Sequence, residues 1–218
     1  MKNQLLGSVT FTMFLFMTLH SVLAGNLSIA ASIAKTIDYG KSKSTINTEH
    51  LIFLDTSLPD YDILEANIGL QNTTVIFLDP NNFEGILKIT EEIKKYSGLK
   101  SIHIVGHAKQ AELTLGADSF WMDDILMIQN ELDSWKSHVS ADADLFLYGC
   151  SLAETEQGKE MVNLMASLTG MDVNASTNLT GPASKNADWD LEYSTGSIES
   201  PMAFAEEIQK YTHTLPSL

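Results

Sequence analysis

The sequence predicts an α/β fold, a three-layer α/β/α sandwich with a mostly parallel sheet. Three observations carry that prediction. Four short runs, at 51–54, 75–78, 101–105 and 143–148, are apolar almost throughout and lack the polar alternation of a half-buried strand. The segments between them carry apolar residues at three- and four-residue spacings, the pattern of amphipathic helices. Gly, Pro or Asp closes most of these elements. Strand and helix in alternation build a parallel sheet whose right-handed crossovers lie on its faces.

Residues 1–24 read as a secretory signal. Lys2 supplies the n-region, the stretch from Leu5 to Leu19 is mostly apolar, and Val22-Leu-Ala24 places small residues at a cleavage site. The stretch is short for a membrane span and is interrupted by Thr10, Thr12, Thr18 and His20. The expectation is cleavage near Ala24, secretion to an extracellular or periplasmic space, and no stable membrane insertion after cleavage. Residues 25–48 then form an N-terminal arm or linker, 49–199 the α/β domain, and 200–218 a helical tail with Phe204, Ile208, Tyr211 and Leu215 in register.

Within the domain, Leu51-Ile-Phe-Leu54 is the first strand, ended by Asp55, and a short helix follows with Tyr61, Leu64 and Ile68 on one side. Val75-Ile-Phe-Leu78 is the second strand, ended by Asp79-Pro80. The next helix places Ile86, Ile89, Ile93 and Tyr96 on one face and stops at Gly98. The third strand leads into Gly106-His107. The alternating bursts 112–116 and 119–122 then suggest a small hairpin. Asp123-Asp124 open an amphipathic helix through Ile125, Ile128, Leu132, Trp135 and Val139. The fourth strand ends in Gly149-Cys150, and Met161, Leu164, Met165 and Leu168 mark another helix. Residues 171–174 suggest a fifth strand, and 189–193 with 197–199 a hairpin about Thr195-Gly196. Trp121, Trp135 and Trp189 are assigned to core or hairpin packing.

Charge narrows the partners. Without residues 1–24, which hold one Lys and no acidic residue, 12 Lys face 28 acidic residues, a net charge of −16. Nucleic acid and anionic membranes are thereby disfavoured. No Arg is present, so bidentate guanidinium clamps are excluded. An acidic surface suits calcium, but no EF-hand loop or Gly-Asp-rich nonapeptide repeat supports it. No cofactor is implied.

Cys150 is the only cysteine, so it cannot form an internal disulfide. It is either a buried small apolar side chain or a functional thiol. Its place just past a strand end matches that of His107 past the neighbouring apolar run, and reactive groups collect on that edge of a parallel sheet. A thiol with an imidazole to take its proton is the minimum for nucleophilic attack on a carbonyl carbon. Backbone N–H groups of Ala108 and Cys150 are candidates for an oxyanion hole, and the helix after Cys150 would favour the thiolate. Asp55 and Asp79 end strands on the same edge, where either can orient His107 or shape a pocket.

A strand ending in His, a hairpin and helix, then a strand ending in Gly-Cys resembles the caspase–hemoglobinase class of cysteine peptidases. More closely, the chain from Leu51 to about Glu199 resembles a bacterial family, the domain of unknown function 4347 family, found near the N-terminus of large secreted adhesins. The matching segments are Leu51-Ile-Phe-Leu-Asp-Thr-Ser57, Ile102-His-Ile-Val-Gly-His107, Leu145-Phe-Leu-Tyr-Gly-Cys150, Leu179-Thr-Gly181 and Asp188-Trp-Asp-Leu-Glu192. The resemblance implies a caspase-like fold. One departure stands out: Gly usually follows the histidine, and here it is Ala108.

Three functions compete at this point. The first is a secreted cysteine endopeptidase or self-processing relative acting on a peptide or protein, with Cys150 as nucleophile and His107 as general base and acid. The second is a non-catalytic adhesion or docking module of the same fold. The third is a metal-dependent hydrolase using Asp55, Asp79 and His107.

Overall fold

The computed structural model describes residues 47–81, 85–204, 208 and 210–215. The signal segment 1–24, and the arm 25–48 up to residue 46, lie outside the described residues. The strands are β1 (His50–Asp55), β2 (Thr73–Leu78), β3 (Leu99–Val105), β4 (His107–Lys109), β5 (Glu112–Leu115), β6 (Asp118–Phe120), β7 (Val139–Tyr148), β8 (Asp172–Ala175) and β9 (Tyr193–Ser194). The helices are α1 (Tyr61–Ala66), α2 (Gly85–Ile93), α3 (Met122–Met127), α4 (Gln129–Ser134) and α5 (Glu156–Thr169). Among the described residues no helix is long and apolar enough to cross a membrane.

Six strands form one sheet in the order β2-β1-β3-β7-β8-β9. All its pairings are parallel except β8 with β9. The expected adjacency holds: β3 and β7 lie side by side in parallel, with Val105 opposite Tyr148. A second, antiparallel sheet of β4, β5 and β6 grows from the end of β3, extending the hairpin the sequence suggested by one strand.

The apolar runs are apolar because both faces of the central strands are covered. Leu51, Phe53, Ile102, Ile104, Leu145 and Leu147 enter one core. Ile52, Leu54, Val105, Phe146 and Tyr148 enter the other. The first core is closed by Ile86, Ile89 and Ile93 of α2, Leu132 of α4, and Met161, Val162 and Met165 of α5. The second is closed by Leu64 of α1 and by Trp189, Leu191, Ala203, Phe204, Ile208, Tyr211 and Leu215. Burying each large apolar side chain stabilises by about 1.5–3 kcal/mol, so this C-terminal segment is held firmly.

The described residues of 200–215 contain no helix, although their apolar spacing suggested one. Phe204, Ile208, Tyr211 and Leu215 are buried against the sheet face, as predicted. The hairpin expected about Thr195-Gly196 also does not form. Tyr193–Ser194 instead pairs with the open edge of β8, and Thr195 donates its N–H to Val173 O at 3.0 Å. The helix expected from Asp123 to Val139 breaks at Ile128, whose φ of −102° and ψ of 20° are not helical. Trp135 and Trp189 are buried, while Trp121 is half-exposed before α3 rather than packed.

A polar ladder runs through the second core. His50 Nδ1 meets Ser101 Oγ at 2.6 Å, and Ser101 Oγ meets His103 Nε2 at 2.7 Å. The His103 ring stacks on Phe146 at 4.5 Å, and the Tyr148 hydroxyl accepts the Ala203 N–H at 2.9 Å. His103 is thus a strand histidine with a satisfied ring, as its position in an apolar run suggested.

Candidate active site

At the end of β1 the buried carboxylate of Asp55 organises three segments. Its Oδ1 accepts from the Ser57 N–H at 2.8 Å and the Ser57 hydroxyl at 2.6 Å. Its Oδ2 accepts from the Gly116 N–H at 2.8 Å, which ties the turn between β5 and β6 to the main sheet. An Asp that bonds the backbone two residues on is the ordinary chemistry of a chain turning out of a strand.

Ser57 Oγ also meets His107 Nε2 at 2.7 Å. The hydroxyl has one proton, and Asp55 accepts it. His107 Nε2–H therefore donates to Ser57, an assignment that rests on the network. Asp55 orients His107 through a serine rather than by direct contact. Asp79 does not share this role. It is exposed, and its Oδ1 accepts from the Asn81 N–H at 2.9 Å and the Asn81 side-chain amide at 3.1 Å. Ser57 is a site residue that the sequence marks only as the end of an Asx turn, through the Asp55-Thr-Ser57 spacing at a strand end.

The segments carrying His107 and Cys150 run side by side. Gly106 N–H donates to Tyr148 O at 3.1 Å, Gln110 N–H to Ser151 O at 3.1 Å and Ala111 N–H to Leu152 O at 3.2 Å. Gly149 lies directly against Ala108: a Cβ on Gly149 would come within 2.6 Å of the Ala108 methyl and 3.1 Å of its nitrogen. Ala108 is buried and is not among the residues of positive φ, so an alanine after the histidine carries no backbone strain. The glycine this contact requires stands at 149 instead.

Cys150 is 1% exposed, within the second core. Its thiol donates to the backbone carbonyl of Leu215, and Thr180 O lies 3.8 Å away. Burial pushes the thiol pKa up, which the Thr180 and Leu215 bonds only partly offset. The helix invoked to favour the thiolate starts further on, at Glu156, and its N-terminus is capped by the Thr155 hydroxyl, which accepts from Gly158 N–H at 3.1 Å. Cys150 lies outside that helix's first turn, the stretch over which the dipole acts.

The segment lying over the thiol is itself held like a bound peptide. Leu215 N–H donates to Thr180 O at 2.8 Å, and His213 Nε2 meets Asp60 Oδ2 at 3.1 Å. Thr214 Cα lies 2.8 Å from where a Cβ on Gly181 would be, and Gly181 has a φ of +153°. Only glycine suits that conformation and that approach. The Tyr211 ring packs on Trp189 at 5.8 Å between centroids. Asp55, Asp79 and His107 do not gather their ligand atoms about one point, so the metal-hydrolase arrangement finds no support among the described residues.

No curated protein matches the chain. The profile of one family matches residues 51–215, a span that takes in both strand ends, the Thr180-Gly181 loop and the covering segment through Leu215. The chain belongs to the family described as a domain of unknown function (DUF4347).

Proposed function

We propose that this chain is an exported cysteine-peptidase-like domain held latent by its own C-terminal segment, with the three-layer, caspase-like arrangement its sequence suggests. Export follows from residues 1–24, which read as a removable signal. The observation that carries the proposal is the contact between the Cys150 thiol and the Leu215 carbonyl, made by a segment that pairs its backbone with Thr180. A peptide laid across a thiol, with a carbonyl oxygen on the S–H, occupies the place where a thiol peptidase would hold its substrate. Strand order supports the fold: the His107 and Cys150 segments leave adjacent parallel strands, with a small antiparallel sheet between them in sequence.

Chemistry requires the segment to move. His107, linked to Asp55 through Ser57, takes the thiol proton. The thiolate then bonds the carbonyl carbon, and the breaking C–N bond releases an amine that takes the proton back from His107. Water hydrolyses the resulting thioester and restores the thiol. The oxyanion falls to backbone N–H groups, with Ala108 and Cys150 the candidates.

A second reading has its own support. Cys150 is buried among Tyr148, Trp189, Tyr211 and Leu215, as a packing residue of a docking module would be. Peptide hydrolysis by a Tyr211→Ala/Leu215→Gly variant separates the two. Activity that appears in the variant and vanishes on adding Cys150→Ala supports the latent peptidase. A folded variant with an accessible thiol and no hydrolysis across varied peptides supports the docking module.

A further inference from the structure

At the opposite end of the sheet a second cluster forms. Asp144, in the middle of β7, and Asp172, the first residue of β8, are direct register partners. Glu199 reaches the same place from the chain after β9. One carboxylate oxygen from each of the three lies within 4.8 Å of the others. Like charges side by side on paired strands repel.

No ion pair among the described residues includes Asp144, Asp172 or Glu199. Lys100 lines the same hollow as Glu199, but it pairs with Glu49 at 3.1 Å. Asp144 is 0% exposed. Its Oδ2 accepts from the N–H groups of Glu199 at 3.1 Å and Ser200 at 2.7 Å, while its Oδ1 is buried without a hydrogen-bond partner. A buried acceptor with no partner is costly unless something else meets it. The backbone also makes room for this cluster: a Cβ on Gly196 would fall 2.2 Å from Asp172 Oδ1, in the space the carboxylate occupies.

We propose that Asp144, Asp172 and Glu199 bind a hard divalent cation of the calcium class. The donors are all oxygen, which selects hard ions over zinc or copper. Calcium takes such a set in flexible geometry, whereas magnesium demands a near-ideal octahedron and gives up its waters reluctantly. The ion would satisfy Asp144 Oδ1 and convert three mutually repelling carboxylates into one staple.

That staple acts on the covering segment. Glu199 leads into Ser200, whose hydroxyl donates to Lys100 O at 2.9 Å, and into Ala203, which donates to Tyr148. The same chain continues to Tyr211 and Leu215 over Cys150. The cation would fasten the start of the segment to the sheet whether or not the thiol is catalytic, so this site stands apart from the peptidase reading.

The test uses the full chain stripped with a chelator and titrated with calcium chloride, read by calorimetry and thermal unfolding. The expected result is one calcium per chain, a rise of several degrees in Tm, a smaller rise with magnesium, and binding weakened at least tenfold in Glu199→Gln and Asp172→Asn. Glu199 is exposed, so its variant keeps the fold and the test stays readable. No binding up to millimolar calcium, equal binding by Glu199→Gln, or the same Tm rise with sodium chloride at matched ionic strength would each overturn the site.

Discussion

The Cys150 thiol donates a hydrogen bond to the backbone carbonyl of Leu215, 65 residues further along the chain. That single contact decides how the lone cysteine is read. In the folded chain the thiol is a donor inside an apolar core, with its pKa pushed up by burial, and not a thiolate. Its chemistry therefore depends on the segment from Ala203 to Leu215, whose apolar side chains cover the second face of the sheet.

The Asp55–Ser57–His107 chain should behave as one unit. Asp55→Ala leaves the Gly116 and Ser57 N–H groups without their acceptor and should cost about 3 kcal/mol. Ser57→Ala, which removes the link to His107, should cost about 1 kcal/mol. The double variant should lose less than the sum, because both changes break the same network. Urea unfolding of the single and double variants checks this. Additive losses would mean that Ser57 does not connect Asp55 to His107.

Acid should destabilise the fold through His103. Burial, with a smaller contribution from the charge of His50, lowers the His103 pKa to about 3. Its ordinary value of about 6.5 returns on unfolding. Between those values the unfolded chain binds the extra proton, so stability is full above about pH 6.5 and falls as the pH drops towards 3, by up to about 1.4 kcal/mol per unit. His103→Gln should be less stable at pH 7 but lose less between pH 7 and 4.5. Parallel pH profiles for the two proteins would contradict the assignment.

The β4–β5 hairpin carries correctable strain. Its two loop residues, Gln110 and Ala111, have φ of 36° and 74°. That is the twist a two-residue hairpin needs, and glycine is the residue that takes it without penalty. Ala111→Gly should therefore raise stability by about 0.5–1 kcal/mol in chemical unfolding. A loss would show that the Ala111 methyl, which is buried, contributes more by packing than its backbone costs.

Elements set by local pattern were legible in the sequence. The four apolar runs became β1, β2, β3 and β7; β1, β3 and β7 are covered on both faces and leave no polar alternation to misread, while the edge strand β2 is apolar though only half-buried. The neighbouring positions of the His107 and Cys150 segments followed from strand alternation alone. What was not legible was set by distant partners. Tyr193–Ser194 went to the edge of β8 rather than to its own hairpin, and the described residues of 200–215 pack on the sheet face without forming a helix. Apolar spacing showed which of its residues are buried, not which backbone shape buries them. The place of Ser57 is not legible in the sequence because it needs Asp55 before it and His107 from another strand. The Asp144–Asp172 pairing needed the register of β7 on β8, which no spacing within one strand reveals.

The rate at which Cys150 reacts with a thiol-alkylating reagent tests the covering of the thiol most directly. In the intact chain at neutral pH the reaction should be slow, limited by opening of the segment. Tyr211→Ala/Leu215→Gly removes two buried side chains from the cover, a loss on the order of 3 kcal/mol in holding the segment closed. The rate should then rise at least about a hundredfold, since each 1.4 kcal/mol is a factor of ten, while far-UV circular dichroism stays unchanged. A thiol that reacts quickly in the intact chain, or one that stays inert in a folded variant with the cover weakened, would contradict a segment closed over a reactive cysteine.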